Sequence, residues 1–363
     1  GEVPPLPFDE LPLNLPDTAD YTPSETGEAP LSRIKDWVKT TVPGQPDRPA
    51  VREADTMPGS AGSSWYFFRF IDPRNTGTLC DPEKAKAWLP VDLYVGGAEH
   101  AVGHLLYSRF WTKFLYDIGV SPVEEPFKRL VNQGMILGED SRKMGKRYGN
   151  TVDPFDVIKE YGADTLRMFE MFLGPIEQEK PWNQSGLDGV RRFLNRAWRL
   201  YCDDDGHLHA SVKDEPMDDD VARLVHQTIA KVEEDTEALR FNTAISQMMI
   251  FVNEMLKKDA RPKEAMESFC LLLAPYAPHF AEEIWQKLGH TESITYASFP
   301  VADESKLVED SIEIPVQVNG KVRARLQVAA DIDEAAIKVL ALADEAVDGW
   351  VSGKEMKVFK YIP

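Results

Sequence analysis

The sequence predicts a multidomain chain: α/β in its first part, all-α in its second, and a small α+β module at the end. Three observations carry this. A short apolar run, Val91-Asp92-Leu93-Tyr94-Val95, meets Gly96-Gly97 and then a stretch of helical period. Long amphipathic stretches follow between residues 219 and 288, and alternating segments flank Asn319-Gly320. The 363 residues suffice for two or three domains, and 43% hydrophobic and 10% aromatic content can bury a large core. Lys and Arg number 41 against 60 Asp and Glu, a net charge of −19. That balance excludes a general cationic coat for nucleic acid and leaves room for a local basic strip. No apolar run approaches the roughly 18–20 residues of a membrane span. Cys80, Cys202 and Cys270 are far apart and form no CxxC pair. They read as reduced thiols of a cytoplasmic protein, with no secretory leader at the start.

In chain order, the opening is rich in proline: Pro4-Pro5-Leu6-Pro7, Leu11-Pro12 and Leu15-Pro16. Proline fixes φ and removes a donor, so this part reads as an extended connector from something upstream. From about Pro30 the composition turns globular. Residues 91–95 read as a strand and 98–116 as a helix with apolar positions Val102, Leu105, Leu106, Phe110 and Phe114. Strand, glycine turn and helix make one unit of a doubly wound sheet, whose ligands favour the carboxyl ends of strands. Residues 128–200 hold 13 Lys and Arg against 10 Asp and Glu, whereas 201–310 hold 10 against 23. The second region has helical stretches over 219–239, 241–257, 262–273 and 278–288, and Pro278 suits a first helical turn. Short connections between them imply an antiparallel bundle. From about Asp310, residues 312–318 alternate, Asn319-Gly320 makes a hairpin turn, and 321–328 alternate back. A helix over 333–344 and a strand over 356–362 complete the module.

Three clusters carry candidate chemistry. In Gly96-Gly97-Ala98-Glu99-His100, two glycines let a ligand approach the backbone, and a helix start offers N–H groups to an anion. Glu99 can accept hydrogen bonds from sugar hydroxyls. His100 and His104 are spaced i, i+4, as a zinc pair or simply as polar packing, and no third ligand is evident. Next, Lys143-Met144-Gly145-Lys146-Arg147-Tyr148-Gly149-Asn150, with Arg142 counted, places four cations in six residues. It reads as a polyphosphate loop or as a solvated basic turn. There is no Walker loop and no GxGxxG. Third, Thr56-Met57-Pro58-Gly59-Ser60-Ala61-Gly62-Ser63-Ser64-Trp65-Tyr66 runs from small residues into aromatics, as a small pocket or a tight turn requires.

Together these clusters resemble the class I aminoacyl-tRNA synthetases, and among them the bacterial-type leucyl-tRNA synthetases. The run from Tyr94 to Trp111 is very similar to the family's GGxEHAxxHLLYxRFW. Lys143–Arg147 resembles its KMSKS loop. Tyr161-Gly162-Ala163-Asp164-Thr165-Leu166-Arg167 follows at the family spacing. Residues 273–285, with Ala277-Pro278-His279-Phe280, resemble the helical tRNA-binding domain shared by the leucine, isoleucine, valine and methionine enzymes. Val316–Arg323 resembles the leucyl C-terminal module. Glu99-His100 and that module favour leucine over its three relatives.

The resemblance implies a fold: the second half of a class I Rossmann-like catalytic domain, a helical-bundle tRNA-binding domain, and a small α+β C-terminal domain. It implies a connector over 1–35, catalytic sequence over 36–127, a loop-bearing junction over 128–185, the bundle over 186–309 and the terminal domain over 310–363. It implies ATP sites at Gly96, Gly97, Glu99, His100 and Lys146, and a leucine or adenylate pocket of Ser63, Tyr66, His100 and His104. Lys143 and Lys146 match the catalytic loop lysines. ATP is a substrate, with Mg2+. For tRNA(Leu), the basic strips are Arg191, Arg192, Arg196 and Arg199, plus Lys321, Arg323 and Arg325. The expected activity is leucine–tRNA ligation; the alternative is a non-catalytic tRNA-binding or regulatory homologue. The HIGH motif and the editing domain have no counterpart here. An N-terminal half, as a separate subunit or lost by truncation, is therefore an expected partner, and the chain alone is expected to be inactive. Gly145 and Arg147 depart from the loop pattern, as does Ser60, where the family often has Phe. Pro43-Gly44-Gln45-Pro46 replaces a cysteine turn, so no zinc is expected.

Overall fold

The computed structural model describes residues 3–22, 25, 27–57, 59–307, 311–329 and 332–361. Contacts divide the chain into two units, Gly1–Asn132 and Gln133–Pro363. The first unit begins with extended chain, as its prolines dictate. A helical turn α1 (Lys35–Val38) leads into the antiparallel ribbon β1 (Lys39–Val42) and β2 (Gln45–Val51), which turns at Pro43-Gly44. Helices α2 (Tyr66–Ile71) and α3 (Pro82–Trp88) follow, the latter capped by the Asp81 carboxylate on the N–H groups of Glu83 and Lys84. Phe67, Phe68, Cys80, Ala85, Leu89 and Leu115 form the core of this unit.

Strand β3 (Tyr94–Val95) pairs in parallel with β4 (Leu130–Val131), and Val91 bridges Phe127 in the same sense. The parallel arrangement expected of a doubly wound sheet is present, with a strand shorter than 91–95. The helix expected over 98–116 is split. A single 3₁₀ turn, Ala98–Ala101, is followed by α4 (His104–Asp117), with Gly103 between them at φ −112° and ψ −114°. A ψ so far from helical values ends the first turn and re-aims the chain.

In the second unit, β5 (Ile136–Leu137) pairs in parallel with β6 (Lys180–Pro181). Between them lie α5 (Pro154–Tyr161) and α6 (Ala163–Phe172). Then come α7 (Gln184–Tyr201), α8 (Asp219–Glu237), α9 (Phe241–Met255), α10 (Lys263–Leu273) and α11 (Pro278–Lys287). Side-chain caps start several of them: Asp153 on Phe155 N, Asn183 on Ser185 N, Asp218 on Val221 N. One continuous core runs from Val157 and Leu166 through Phe193, Val232, Met248 and Phe269 to Trp285. The helix expected from Pro262 starts at Lys263, because β8 (Arg261–Pro262) pairs with β7 (Val212–Lys213). Arg261 is buried there and donates to the carbonyls of Arg199 and Leu200 at 3.2 and 2.9 Å, tying down the end of α7.

The hairpin is as expected: β9 (Ser311–Val318) and β10 (Lys321–Ala329) join through Asn319 and Gly320 at φ 53° and 77°. Two positive φ values are what a two-residue turn matched to strand twist needs. The register shifts between Val322 and Ala324, so Arg323 is the bulged residue. Helices α12 (Glu334–Ala343) and α13 (Glu345–Val351) complete the module. The strand expected over 356–362 does not form: residues 356–361 are irregular, and Ile362 lies outside the described residues.

One contact joins two of the stretches that carried the resemblance. Asp164, at the start of α6, accepts from Phe280 N at 2.7 Å and from His279 Nδ1 at 2.8 Å. Arg167, one turn on, donates to the Pro275 carbonyl at 3.0 Å. The α11 N-terminus, with Pro278 at its first position, is therefore capped from another helix. Asp164→Ala should lower unfolding free energy by about 1–2 kcal/mol, read as the urea midpoint of the helical signal. An unchanged midpoint would remove this contact from the account of how the bundle is held.

Candidate functional site

The first cluster is built around His104. Beyond β3, neither Gly96 nor Gly97 takes a positive φ; what glycine supplies here is room. A Cβ on Gly96 would stand 2.9 Å from Tyr94 Cε1, and one on Gly97 would overlap the Glu99 carboxylate. Glu99 is exposed and folds back against the diglycine turn.

The break at Gly103 separates the histidines. His100 stays exposed, while His104 is buried, and their rings are 6.5 Å apart and perpendicular. The i, i+4 pairing expected of one continuous helix is not formed. His104 Nε2 lies 2.6 Å from the Ser63 carbonyl oxygen. A carbonyl only accepts, so Nε2 carries the hydrogen. In the neutral ring Nδ1 then accepts from the Tyr94 hydroxyl at 2.8 Å. Burial raises the pKa of that phenol, which keeps it a donor. Ser108 Oγ donates to the His104 carbonyl at 2.7 Å and lies 3.1 Å from Nε2. Tyr94 stacks on the imidazole at 5.6 Å, and the Tyr66 ring lies 5.9 Å away. So Ser63, Tyr66 and His104 are brought together, with His100 at the edge. Ser63 takes part through its backbone, since its hydroxyl donates to the Ser60 carbonyl at 3.1 Å. Ser60 sits at φ 54°, a left-handed conformation uncommon for serine, and Pro58 of this stretch lies outside the described residues. Among the described residues no group of three His, Cys, Asp or Glu side chains could hold a metal ion.

The second cluster is the cationic loop. Leu137 bridges Lys143 antiparallel, closed by Gly138 N donating to Arg142 O at 2.8 Å. Asp140 Oδ1 accepts from Arg142 N at 3.1 Å and Asn150 Nδ2 at 3.0 Å, and Oδ2 accepts from Arg142 Nε at 2.8 Å. Asn150 Oδ1 accepts from Gly145 N at 2.9 Å, and its Nδ2 reaches Lys143 O at 3.3 Å. A Cβ on Gly138 would press to 2.7 Å from that same amide nitrogen. Asp140 and Asn150 thus stitch both ends of the loop together. The hydrogen bond from Asn150, then those from Arg142, hold the Asp140 pKa down at about 2. Two of the four cations are engaged: Arg142 and Arg147 lie over the Tyr148 ring at 5.1 and 4.5 Å. Lys143 and Lys146 are exposed, and neither has an acidic partner among the described residues. Gly145 is extended at φ −161°, which any residue adopts, although a Cβ would come within 3.2 Å of Tyr148.

The third cluster lies on α7. Leu187, Val190, Phe193, Leu194, Ala197, Leu200 and Tyr201 face the core, and Arg192, Arg196 and Arg199 project from the exposed side without an acidic partner among the described residues. Arg191 instead donates to Glu160 O at 3.1 Å and lies over Tyr161. In the hairpin, the bulge sends Arg323 onto the Trp350 ring at 3.6 Å, and Arg325 pairs with Glu313. Lys321 is the free cation of that strand among the described residues.

Two family models match this chain. Residues 76–182 match "tRNA synthetases class I (I, L, M and V)", and residues 218–339 match "Anticodon-binding domain of tRNA ligase". A crystal structure of the ternary complex of Agrobacterium radiobacter K84 agnB2 LeuRS with tRNA and LeuAMS superposes with TM-score 0.76 at 32% identity, over 98% of this chain. The chain belongs to the class I tRNA synthetases. Its likeness within them is to the leucine enzyme, and it spans about half of that structure, 47% of its length. The class I match covers the diglycine turn, His104 and the loop lysines; the anticodon-domain match runs from α8 into the first part of α12.

The residues of these clusters that no sequence pattern singles out are Tyr94, Ser108, Asp140 and Asn150. A partner of a nominated residue carries no charge run or glycine pattern of its own. Asn150, three residues beyond Arg147, was the one available signal, because Asx side chains commonly close loops. Asp140 has a folded pKa below its unfolded one, so its contribution to loop order is full above about pH 4 and lost as pH falls through about 2. Carbon-detected NMR titration should find that low value, and Asn150→Ala should raise it. A pKa unmoved by Asn150→Ala would show that the clamp is absent.

Proposed function

We propose that the chain supplies the ATP-, leucine- and tRNA-binding elements of a leucine–tRNA ligase, acting with an N-terminal half that carries the first ATP motif. Its parts are a connector over 1–35, catalytic sequence over 36–127, the loop junction over 128–185, the helical bundle over 186–309 and the terminal module over 310–363. What carries the reading is the pair of lysines, Lys143 and Lys146, without an acidic partner among the described residues, on a loop that holds both arginines on Tyr148. Such cations remain available to stabilise charge as it develops on a polyphosphate.

In this reading leucine's carboxylate oxygen attacks the α-phosphorus of ATP, the bond to the β-phosphate breaks, and pyrophosphate leaves. A hydroxyl of the terminal ribose at the tRNA 3′ end then attacks the leucyl carbonyl, losing its proton, and AMP leaves. ATP arrives as its magnesium complex, so the metal belongs to the substrate. Lys146, assisted by Lys143, neutralises the departing phosphates. Gly96, Gly97, Glu99 and His100 hold the adenosine, with the Glu99 carboxylate accepting from ribose hydroxyls. Ser63, Tyr66, His100 and His104 line the leucine pocket. His104 is fixed there as the Nε2–H tautomer by Ser63 and Tyr94, which supports a positioning role. Phosphates of tRNA(Leu) meet Arg192, Arg196, Arg199 and Lys321. Arg191, Arg323 and Arg325 join them by exchanging an internal partner.

A second reading, a non-catalytic tRNA-binding or regulatory homologue, draws on Arg147 spending its charge on Tyr148 where the family has a hydroxyl. One experiment separates the two. The chain is mixed with a leucyl N-terminal half, and leucine-dependent pyrophosphate exchange is measured. Exchange slowed about 10²–10³-fold by Lys146→Ala supports the ligase. Exchange indifferent to Lys146 contradicts the lysine's role, and no exchange from a folded complex favours the homologue. Separately, tRNA affinity should fall linearly with log salt, and Arg196→Gln should reduce that slope by about 1. A salt-independent affinity would exclude phosphate contacts.

A further inference from the structure

Strand β3 opens on a tyrosine that packing holds in one place. The Tyr94 ring lies 4.5 Å from that of Phe127, which in turn lies 5.4 Å from Phe67 of the unit's core. It also stacks on His104, with 15° between the planes. Gly96 borders it closely: a Cβ there would stand 2.9 Å from Tyr94 Cε1 and 3.5 Å from the hydroxyl oxygen. The hydroxyl is thereby set 2.8 Å from His104 Nδ1. At the other nitrogen, the Nε2 hydrogen faces the Ser63 carbonyl at 2.6 Å and Ser108 Oγ at 3.1 Å. Ser108 is buried, and its own hydrogen goes to the His104 carbonyl. Both ring nitrogens are used, so the imidazole offers a ligand only its carbon edges and its face.

From this we propose that Tyr94 is a specificity-determining positioning residue: by occupying Nδ1 it makes the His104 wall of the amino-acid pocket apolar, so that an aliphatic side chain is accepted and one carrying hydrogen-bond donors is refused. The inference rests on the leucine-pocket reading and deepens it by naming the residue that sets what the pocket takes. Tyr94 acts through His104 and need not touch the amino acid. The Nε2 side is satisfied by a backbone carbonyl, which no side-chain change at Ser63 removes. Nδ1 depends on a single side-chain hydroxyl. Without that hydroxyl, a buried acceptor is left with no donor, which is costly. An amino acid that brings its own donor repairs the loss, and leucine cannot.

The test uses the chain combined with a leucyl N-terminal half. Pyrophosphate exchange is driven by leucine, by asparagine, which has leucine's shape and carries an amide, and by isoleucine, which is apolar and differently branched. Tyr94→Phe keeps the ring against Phe127 and His104 and removes only the hydroxyl. It should raise kcat/KM for asparagine relative to leucine about tenfold and leave the isoleucine ratio unmoved. In a His104→Phe background, which has no Nδ1 to satisfy, Tyr94→Phe should not change the asparagine ratio. Long-range proton–nitrogen NMR spectra of the chain alone give a readout independent of activity: His104 in its Nε2–H form, with an Nδ1 signal that Tyr94→Phe displaces. An asparagine ratio unchanged by Tyr94→Phe overturns the inference. So does an equal rise for isoleucine, which is the mark of a merely loosened pocket, and so does an effect that persists in the His104→Phe background. If the unaltered complex shows no leucine-dependent exchange, the leucine-pocket reading itself fails and the inference falls with it.

Discussion

The functional account depends on a small polar clamp. Asp140 and Asn150 exchange hydrogen bonds with each other and with the backbone at Arg142, Lys143 and Gly145. A loop of four cations repels itself, and left alone it would spread or gather acidic partners. The clamp fixes the turn, the Tyr148 ring takes up both guanidinium groups, and the two ammonium groups are left exposed. Charge that is held in place without being neutralised is preorganised for an anion, because no reorganisation is required when the anion arrives.

The same economy appears around His104. A buried imidazole is useful for recognition only when its tautomer is set, and here a carbonyl on one side and a phenol on the other set it. Gly103 makes this possible by interrupting the helix so that the ring turns inward, while Gly96 leaves space for Tyr94 to reach it. In the second unit, Asp164 performs a comparable service for the bundle: one carboxylate caps α11 from α6 across 116 residues of sequence to Phe280. These contacts join stretches that carry the family resemblance, which gives a physical reason for their residue types.

Much of the architecture was legible in the sequence. The bundle followed from helical periodicity, and the terminal hairpin from Asn319-Gly320, because local propensity and tertiary packing agree there. Where they compete, reading failed. Residues 98–116 have an unbroken helical period, yet the chain breaks at Gly103, and His104 beyond the break hydrogen-bonds to Ser63 and Tyr94. Residues 356–361 have strand composition and no strand partner among the described residues. For the site, charge runs and glycines pointed to Lys143, Lys146 and Gly97. Tyr94, Ser108, Asp140 and Asn150 act through partners two to ten residues away, and none of them carries a charge run or glycine pattern of its own. Nor could sequence separate Arg192, Arg196 and Lys321, which have no acidic partner among the described residues, from Arg191, Arg323 and Arg325. That distinction comes from Tyr161, Trp350 and Glu313, which only the fold brings near.

The central claim is that the clamped loop offers its two ammonium groups to the phosphates of ATP. Amine acylation followed by mass spectrometry, on the chain combined with a leucyl N-terminal half, tests it most directly. The account predicts that a non-hydrolysable ATP analogue with leucine shields Lys146 strongly and Lys143 measurably, while Lys321 labels as before. Equal labelling of Lys146 with and without the nucleotide, in a complex shown to bind it, would contradict the account.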